Sequence, residues 1–160
     1  MDAIMDALKT ISKQSKPVIL GMGNELNADD GIGPYIVQKL ATEVKFFHLL
    51  DVGPLPENFT KKIAGLSPTH VIIIDAAMVE GEPGTTRLID LDEIDDVIFT
   101  THHIPLSYTV QRIQAMCGAE VIIIGIRPGN MDVGSPMSLR VLEAGDEVVR
   151  IFEEMERKLA

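Results

Sequence analysis

Residues 18–34 carry the sequence Val18-Ile-Leu-Gly-Met-Gly-Asn-Glu-Leu-Asn-Ala-Asp-Asp-Gly-Ile-Gly-Pro34. The stretch begins with a short apolar run that glycines interrupt, and it continues through a polar loop that contains Asp29 and Asp30. A helix is predicted to open near Gly33-Pro34. A buried strand, a glycine turn and then a helix place this loop at the carboxyl end of a strand, where open α/β sheets form their binding sites.

This loop does not match a dinucleotide-phosphate loop. That fingerprint needs a third glycine that leads straight into a helix, whereas here Leu26 takes its place and seven residues separate Leu26 from Pro34. Asp29 and Asp30 lie within that interval, and their charges would repel a phosphate group. The loop is therefore typical of a site for a cation.

The composition indicates one globular domain over residues 1–160. A formal net charge of −10 argues against nucleic acid or an anionic membrane as a partner. The apolar runs are too short to span a bilayer, and residues 1–16 contain no apolar segment typical of a signal peptide. The single Cys117, expected to be a packing residue, excludes an internal disulfide and suits a reducing cytoplasm.

Alternating strand and helix patterns predict an α/β fold. We expect a single three-layer domain with a mostly parallel, twisted sheet of about five strands, covered by helices on both faces. The predicted strands include Val18–Leu20, Phe46–Leu50, Val71–Ile74, Thr86–Ile89 and Val121–Ile124. The tight turn at residues 81–84 predicts that the fourth is an antiparallel edge strand.

Residues 1–16 are predicted to form an N-terminal helical extension. Ile4, Leu8 and Ile11 recur at helical spacing, which predicts a short amphipathic helix over residues 2–15. This helix serves either core packing or a dimer contact, and the chain is expected to be a monomer or a weak dimer.

Acidic side chains follow three of the predicted strands, and two histidines precede a predicted helix. The candidates are, in chain order, Asp29, Asp30, Asp51, Asp75, His102 and His103. Because parallel strands put their carboxyl ends at one edge of a sheet, we expect the aspartates to converge there in an open acidic pocket. Two carboxylates and one imidazole suit a borderline divalent ion such as nickel or zinc.

Each candidate also has a simpler structural role. Asp29 or Asp30 could cap the helix that follows, Asp75 could close a turn, and the histidines could be surface residues beside a helix cap. The chain lacks the Gly-x-Ser-x-Gly motif of serine hydrolases and the His-Glu-x-x-His motif of zinc peptidases. The residues alone therefore predict an α/β domain with an acidic metal site and do not identify a substrate.

Five motifs lie in a characteristic order over about residues 17–139. They are Gly21–Asn24 with Ala28–Pro34, Gly53–Asn58, Ile74–Ala76, Thr100–Leu106 and Gly125–Pro128. In this order and register they resemble the hydrogenase maturation endopeptidases, and most closely the branch that serves hydrogenase 3. The chain departs from the family pattern at Val52, where a glycine is usual, and at His103, where relatives often carry a different polar residue.

The resemblance implies an endopeptidase that removes the C-terminal extension of a nickel-iron hydrogenase large-subunit precursor after nickel insertion. It implies that Asp30, Asp75 and His102 are both the metal ligands and the catalytic residues, although His103 could supply the imidazole instead. The nickel would be supplied by the precursor, and zinc or another divalent ion could act as a surrogate. Three side chains would leave such a site open and weak, and a nickel ion already held by the precursor could supply the remaining bonds. The enzyme would then recognise the metal as part of its substrate, and a nickel-free precursor would be ignored. The attacking water could be activated by the metal or by a carboxylate.

Two other functions are compatible with the same residues. One is a non-catalytic nickel-binding or metallochaperone module, which would bind nickel tightly in isolation. The other is a peptidase of different specificity on the same fold, which would need no metal-loaded partner.

Overall fold

Strands and helices alternate along the chain in its computed structural model, which describes residues 1–99 and 104–160. The strands are β1 (Pro17–Met22), β2 (His48–Gly53), β3 (His70–Ala76), β4 (Thr86–Ile89) and β5 (Glu120–Ile126). The α-helices are α1 (Asp2–Leu8), α2 (Ile32–Leu40), α3 (Thr60–Gly65), α4 (Leu106–Cys117) and α5 (Leu139–Leu159). Short 3-10 turns cover Ala28–Gly31, Pro56–Phe59 and Leu91–Asp96.

Within the described ranges the strands form one five-stranded sheet in the order β2-β1-β3-β5-β4. β1, β2, β3 and β5 run parallel, and β4 pairs antiparallel with β5 at the edge. This arrangement confirms the predicted mostly parallel sheet and its antiparallel edge strand. The carboxyl ends of β1, β2, β3 and β5 consequently lie along one side of the sheet, which we call the carboxyl edge.

Successive side chains of a strand point to opposite faces of the sheet. Helices pack on both faces, so the domain has three layers. In β3, Ile72 and Ile74 are fully buried against α1, α2 and α5, whereas Val71 and Ile73 are fully buried against α3 and α4. Every residue of β3 is buried, as expected for a parallel strand that helices cover on both faces.

The N-terminal extension packs into the core, which confirms one of its two predicted roles. Ile4 and Leu8 are each 1% exposed within the cluster that α2 and α5 complete. The predicted helix over residues 2–15 is too long, because α1 ends at Leu8. Beyond it the backbone N–H of Ser12 donates to the hydroxyl of Ser15, a local bond that competes with continued helix.

β2 begins two residues later than predicted and extends through Gly53. The N–H of Phe46 donates to the carboxylate of Glu156 on α5 instead of to a neighbouring strand. The ring of Phe47 packs edge-on against Phe152, with centroids 5.3 Å apart. Both aromatic residues therefore anchor the chain to α5 before β2 begins.

The outer helices end and pack as their sequences indicate. α4 stops at Gly118, whose φ of +67° suits glycine, and the half-buried thiol of Cys117 donates to the carbonyl of Ile113. α5 is the longest described helix, with 21 residues, and it buries one apolar side. No helix in the described ranges has the length and apolar character needed to cross a membrane.

Candidate active site

Glycines bring the loop after β1 into close contact with the sheet. Gly23 has a φ of +136°, and a Cβ atom there would overlap the backbone carbonyl of Asp30. A Cβ atom on Gly33 would overlap the backbone of Met22 and the carbonyl oxygen of Ile74. Only glycine at these two positions lets the turn that carries Asp30 pack against the ends of β1 and β3.

Asp30 lies in the 3-10 turn Ala28–Gly31 and has no solvent exposure. Its Oδ2 atom accepts a hydrogen bond from the backbone N–H of Asn24 at 3.0 Å. The side-chain oxygen of Asn24 accepts in turn from the N–H of Leu26, also at 3.0 Å. The loop between β1 and the turn therefore folds around the Asp30 carboxylate and fixes its orientation.

Asp75 is the penultimate residue of β3, and it too has no solvent exposure. It pairs in register with Gly125 of β5. Because the backbone of Gly33 packs directly on the carbonyl of Ile74, the Asp30 segment and the Asp75 segment meet at the carboxyl edge. The turn after β1 and the end of β3 therefore adjoin, and the assignment of Asp30 and Asp75 to one site stays a prediction.

Two features differ from the expected open pocket. Asp30 and Asp75 are fully covered, so neither carboxylate reaches solvent in this conformation. Asp51 does not join them: it is exposed within β2, and its Oδ1 atom accepts from the N–H of Gly53 at 3.1 Å. Asp51 therefore shapes the end of its own strand.

His102 and His103 lie outside the described residues, so the imidazole ligand stays a prediction. The described chain that leads to them pairs with the extension of β3: Ala77 bridges Phe99, and the N–H of Met78 donates to the carbonyl of Ile98 at 3.0 Å. Within residues 1–99 and 104–160, no group of three side chains of the metal-binding types is assembled around one point.

Asp29 has a structural function, but not the helix cap that the sequence offered, since no described side chain caps α2. Its carboxylate is fully buried and accepts four hydrogen bonds of 2.6 to 2.7 Å, from the N–H groups of Gly129, Asn130 and Ser138 and from the hydroxyl of Ser138. Its own N–H donates to the carbonyl of Asn130 at 2.9 Å. Asp29 therefore pins both ends of the loop after β5, residues 129–138, to the turn that carries Asp30.

The electrostatics of Asp29 are consistent with this function. Burial by itself would raise the pKa of the carboxyl group, but the hydrogen bonds from Ser138, Asn130 and Gly129 outweigh burial and lower the pKa below its ordinary value of 3.8. Asp29 is therefore ionised at neutral pH and holds the loop as a charged acceptor. No local pattern in the sequence indicated these bonds, because their donors lie 100 to 109 residues further along the chain.

Comparison with known proteins relates this arrangement to one family. Residues 34–155 match the family model described as HycI, hydrogenase maturation protease. The hydrogenase 3 maturation protease of Escherichia coli K12 is 36% identical over 138 residues, which cover 85% of this chain and 88% of that protein.

Solved structures give the same relationship. The crystal structure of a nickel-iron hydrogenase maturation protease HycI from Thermococcus kodakarensis superposes with a TM-score of 0.86, at 26% identity over 97% of this chain and 99% of that one. The solution structure of an endopeptidase HycI from Escherichia coli gives a TM-score of 0.80, at 35% identity over 88% of this chain and 91% of that one. The similarity therefore extends over the whole fold, including the carboxyl edge.

Proposed function

The chain belongs to the hydrogenase maturation protease family and is a peptidase, and from that premise we propose its substrate and its catalytic residues. The substrate is the precursor of a nickel-iron hydrogenase large subunit, and the reaction removes its C-terminal extension after nickel has been inserted. We expect this reaction in the cytoplasm, where a chain with one free cysteine stays reduced.

The observation that carries the proposal is the pair of buried carboxylates at the carboxyl edge. Asp30 lies in the turn that follows β1, Asp75 lies in β3, and both are 0% exposed. Burying a carboxylate is unfavourable unless hydrogen bonds, an opposite charge or a metal ion compensate for the lost water. Acids placed in this way are typical of catalytic or metal-binding sites. The close packing of Gly23 and Gly33 supports a function that needs the two segments together.

The proposed mechanism is attack of water on the scissile carbonyl. Asp30, oriented by the N–H of Asn24, is assigned as general base or metal ligand, and Asp75 as the second acidic ligand. His102 is assigned as the imidazole ligand, with His103 as the alternative. Because both acids are covered in this conformation, binding of the precursor must uncover them before they can reach the scissile bond.

Nickel enters this scheme as part of the substrate. Carboxylate oxygens and one imidazole are suitable donors for nickel, and the positive charge of the ion would polarise the scissile carbonyl. Three side chains leave coordination positions for ligands that the precursor already supplies, so the enzyme would read the metal together with the peptide. A nickel-free precursor would lack part of what the enzyme recognises.

The direct test compares cleavage of nickel-loaded and nickel-free precursor by the purified protein. We expect rapid loss of the C-terminal extension only from the loaded form, measured by intact mass. Equal cleavage of both forms would contradict nickel recognition.

Calorimetric titration of the isolated protein with nickel separates this function from a metallochaperone. Weak binding, together with cleavage, fits a peptidase that meets its metal on the substrate. Tight binding without cleavage would instead favour a metal carrier.

A further inference from the structure

We propose that Asp29 and Ser138 are positioning residues, which hold the carboxylate of Asp30 in the orientation needed for cleavage. The inference rests on the proposed function of Asp30 and adds to it how the fold keeps that acid in place. Asp29 and Ser138 need no contact with the substrate, because both act through the backbone of the turn Ala28–Gly31.

Ser138 occupies the N-cap of α5, where a serine side chain usually accepts a hydrogen bond from the first turn of its own helix. In the described structure the Ser138 hydroxyl makes no such capping bond. It donates instead to Oδ2 of Asp29 at 2.6 Å, and the N–H of Ser138 donates to Oδ1 at 2.6 Å. The start of α5 is therefore attached to both carboxylate oxygens of a residue that lies 109 positions earlier.

The negative charge of Asp29 suits this attachment. The unpaired N–H groups at the start of an α-helix give that end a partial positive charge, so a carboxylate there is stabilising. α5 has 21 residues, and Val148 and Phe152 on its buried side have no solvent exposure. Asp29 thus binds the end of a long helix that the core holds in place.

α5 also holds the helix that follows the turn. The turn continues without a break into α2, where the hydroxyl of Tyr35 donates to Oδ1 of Asp146 on α5 at 2.7 Å. Ser138 and Asp146 are eight residues apart along α5, which corresponds to about 12 Å. Asp30 therefore lies between two residues, Asp29 and Tyr35, that are both bonded to the same helix.

The backbone and side chain of Asp30 are held between these two attachments. The N–H of Asp30 donates to the carbonyl of Asn27 at 3.1 Å, and its Oδ2 atom accepts from the N–H of Asn24 at 3.0 Å. A general base must lie within hydrogen-bonding distance of the water that it activates, and an error of about 1 Å can slow a reaction about a hundredfold. Loosening Asp29 should therefore slow cleavage even when the fold survives.

The test uses Ser138→Ala and Asp29→Asn, alone and together. Ser138→Ala removes one of the four hydrogen bonds to Asp29 and keeps the other three, so this variant is expected to fold. The matched controls are Ser135→Ala and Asp132→Asn in the same loop. Asp132 is exposed, and the hydrogen bonds described for these two residues use their backbone atoms, which both variants keep.

We would measure kcat and KM for nickel-loaded precursor, and the unfolding midpoint of each variant. We expect kcat to fall about tenfold in Ser138→Ala and about a hundredfold in Asp29→Asn, with KM within about twofold of wild type. The double variant should be no slower than Asp29→Asn, because both substitutions break the same contact. The two controls should cleave as wild type does.

Unchanged kcat in folded Ser138→Ala would overturn the inference. So would a loss confined to KM, or effects of the two substitutions that multiply in the double variant. Should Asp29→Asn not fold, Ser138→Ala decides alone.

A second readout does not depend on cleavage. Amide hydrogen exchange, measured by NMR, reports whether the N–H of Asn24 stays bonded to Asp30. We expect this amide to exchange about tenfold faster in Ser138→Ala than in wild type. The amide of Gly118, which donates to the carbonyl of Gln114 at the end of α4, should not change. Equal exchange of the Asn24 amide in both proteins would contradict the positioning of Asp30.

The two readouts separate this inference from the proposed function. Wild-type protein that leaves nickel-loaded precursor uncut would overturn the proposed function, while faster exchange of the Asn24 amide in Ser138→Ala would still support the positioning of Asp30. Cleavage by wild type, with neither kcat nor exchange altered in Ser138→Ala, would overturn the positioning alone.

Discussion

Asp29 and Asp30 are adjacent in the chain, yet their carboxylates have different surroundings. Asp29 receives four hydrogen bonds from the loop after β5, two of them from Ser138, whereas Asp30 accepts from the N–H of Asn24 in its own loop. The first acid thus joins two loops, and the second is presented at the place where β1 and β3 end. Adjacent residues on a tight turn point in different directions, which allows this division.

Replacing Asp29 by Asn is expected to destabilise the fold. The amide would place an NH₂ group among four donors, and leaving such buried donors unpaired costs about 2–4 kcal/mol in total. Because the folded-state pKa of Asp29 is lowered, its stabilisation is present above the ordinary pKa of 3.8 and is lost as pH falls through the folded-state value. The difference between wild type and variant should therefore be largest near neutral pH and shrink below about pH 4.

Urea unfolding at several pH values checks this expectation. Asp51→Asn is a suitable control, because Asp51 is exposed and its loss should change the free energy of unfolding by less than about 0.5 kcal/mol. A difference for Asp29→Asn that stays constant from pH 7 to pH 3 would show that its charge does not stabilise the fold.

At the scale of elements, α2 and α5 are joined by a partly buried hydrogen bond. The hydroxyl of Tyr35 on α2 donates to Oδ1 of Asp146 on α5 at 2.7 Å. Gly145 allows this approach, since a Cβ atom there would lie 2.7 Å from a methyl carbon of Ile32 and 3.3 Å from the Tyr35 ring. Burial, and then the hydrogen bond and charge of Asp146, raise the pKa of Tyr35 to about 12.

Replacing Tyr35 by Phe should lower the free energy of unfolding by about 1 kcal/mol, the usual contribution of one such hydrogen bond. Because the folded-state pKa is raised, the stabilisation is complete below the ordinary pKa of 10.0 and is lost as pH rises towards about 12. The gap between wild type and variant should therefore close over that range. Unfolding transitions at pH 8 and pH 11 measure it.

The chain offers a matched control in its other tyrosine. Tyr108 is 49% exposed, so Tyr108→Phe should leave stability unchanged, and the ultraviolet titration of that variant reports Tyr35 alone. Ionisation of Tyr35 near pH 10 in that titration would be incompatible with the hydrogen bond to Asp146.

The order and type of the elements could be predicted because each pattern is local. Continuous β-branched residues at Val71–Ile74 require helices on both faces, and glycine at Gly118 ends a helix by adopting a positive φ. The residues at which the strands and helices begin and end could not all be predicted, because some depend on contacts with residues far away in the sequence. The sequence pattern predicts Phe46 in β2, but its N–H donates to the carboxylate of Glu156, which lies 110 residues later.

For the whole molecule, the candidate site could be predicted as far as topology determines it. Parallel strands bring Asp30 and Asp75 to one edge, and that conclusion needs only the alternation of strands and helices. The coverage of both acids and the binding partners of Asp29 could not be predicted. The partners of Asp29 lie 100 to 109 residues further along the chain, and periodicity carries no information about contacts at that distance.

The same long-range contacts link the turn that carries Asp30 to the loop after β5. Asp29 accepts from both ends of residues 129–138, so this loop is fixed beside the turn that carries Asp30.

The most direct test is the intact mass of nickel-loaded precursor after incubation with wild type, Asp30→Asn, Asp75→Asn and the exposed-acid control Asp51→Asn. The side chains keep their size, and each variant would be checked for folding by its unfolding transition. We predict that wild type and Asp51→Asn remove the C-terminal extension at similar rates, while Asp30→Asn and Asp75→Asn are slower by about a hundredfold or more. Cleavage by folded Asp30→Asn or Asp75→Asn at the wild-type rate would contradict the assignment of these acids to catalysis.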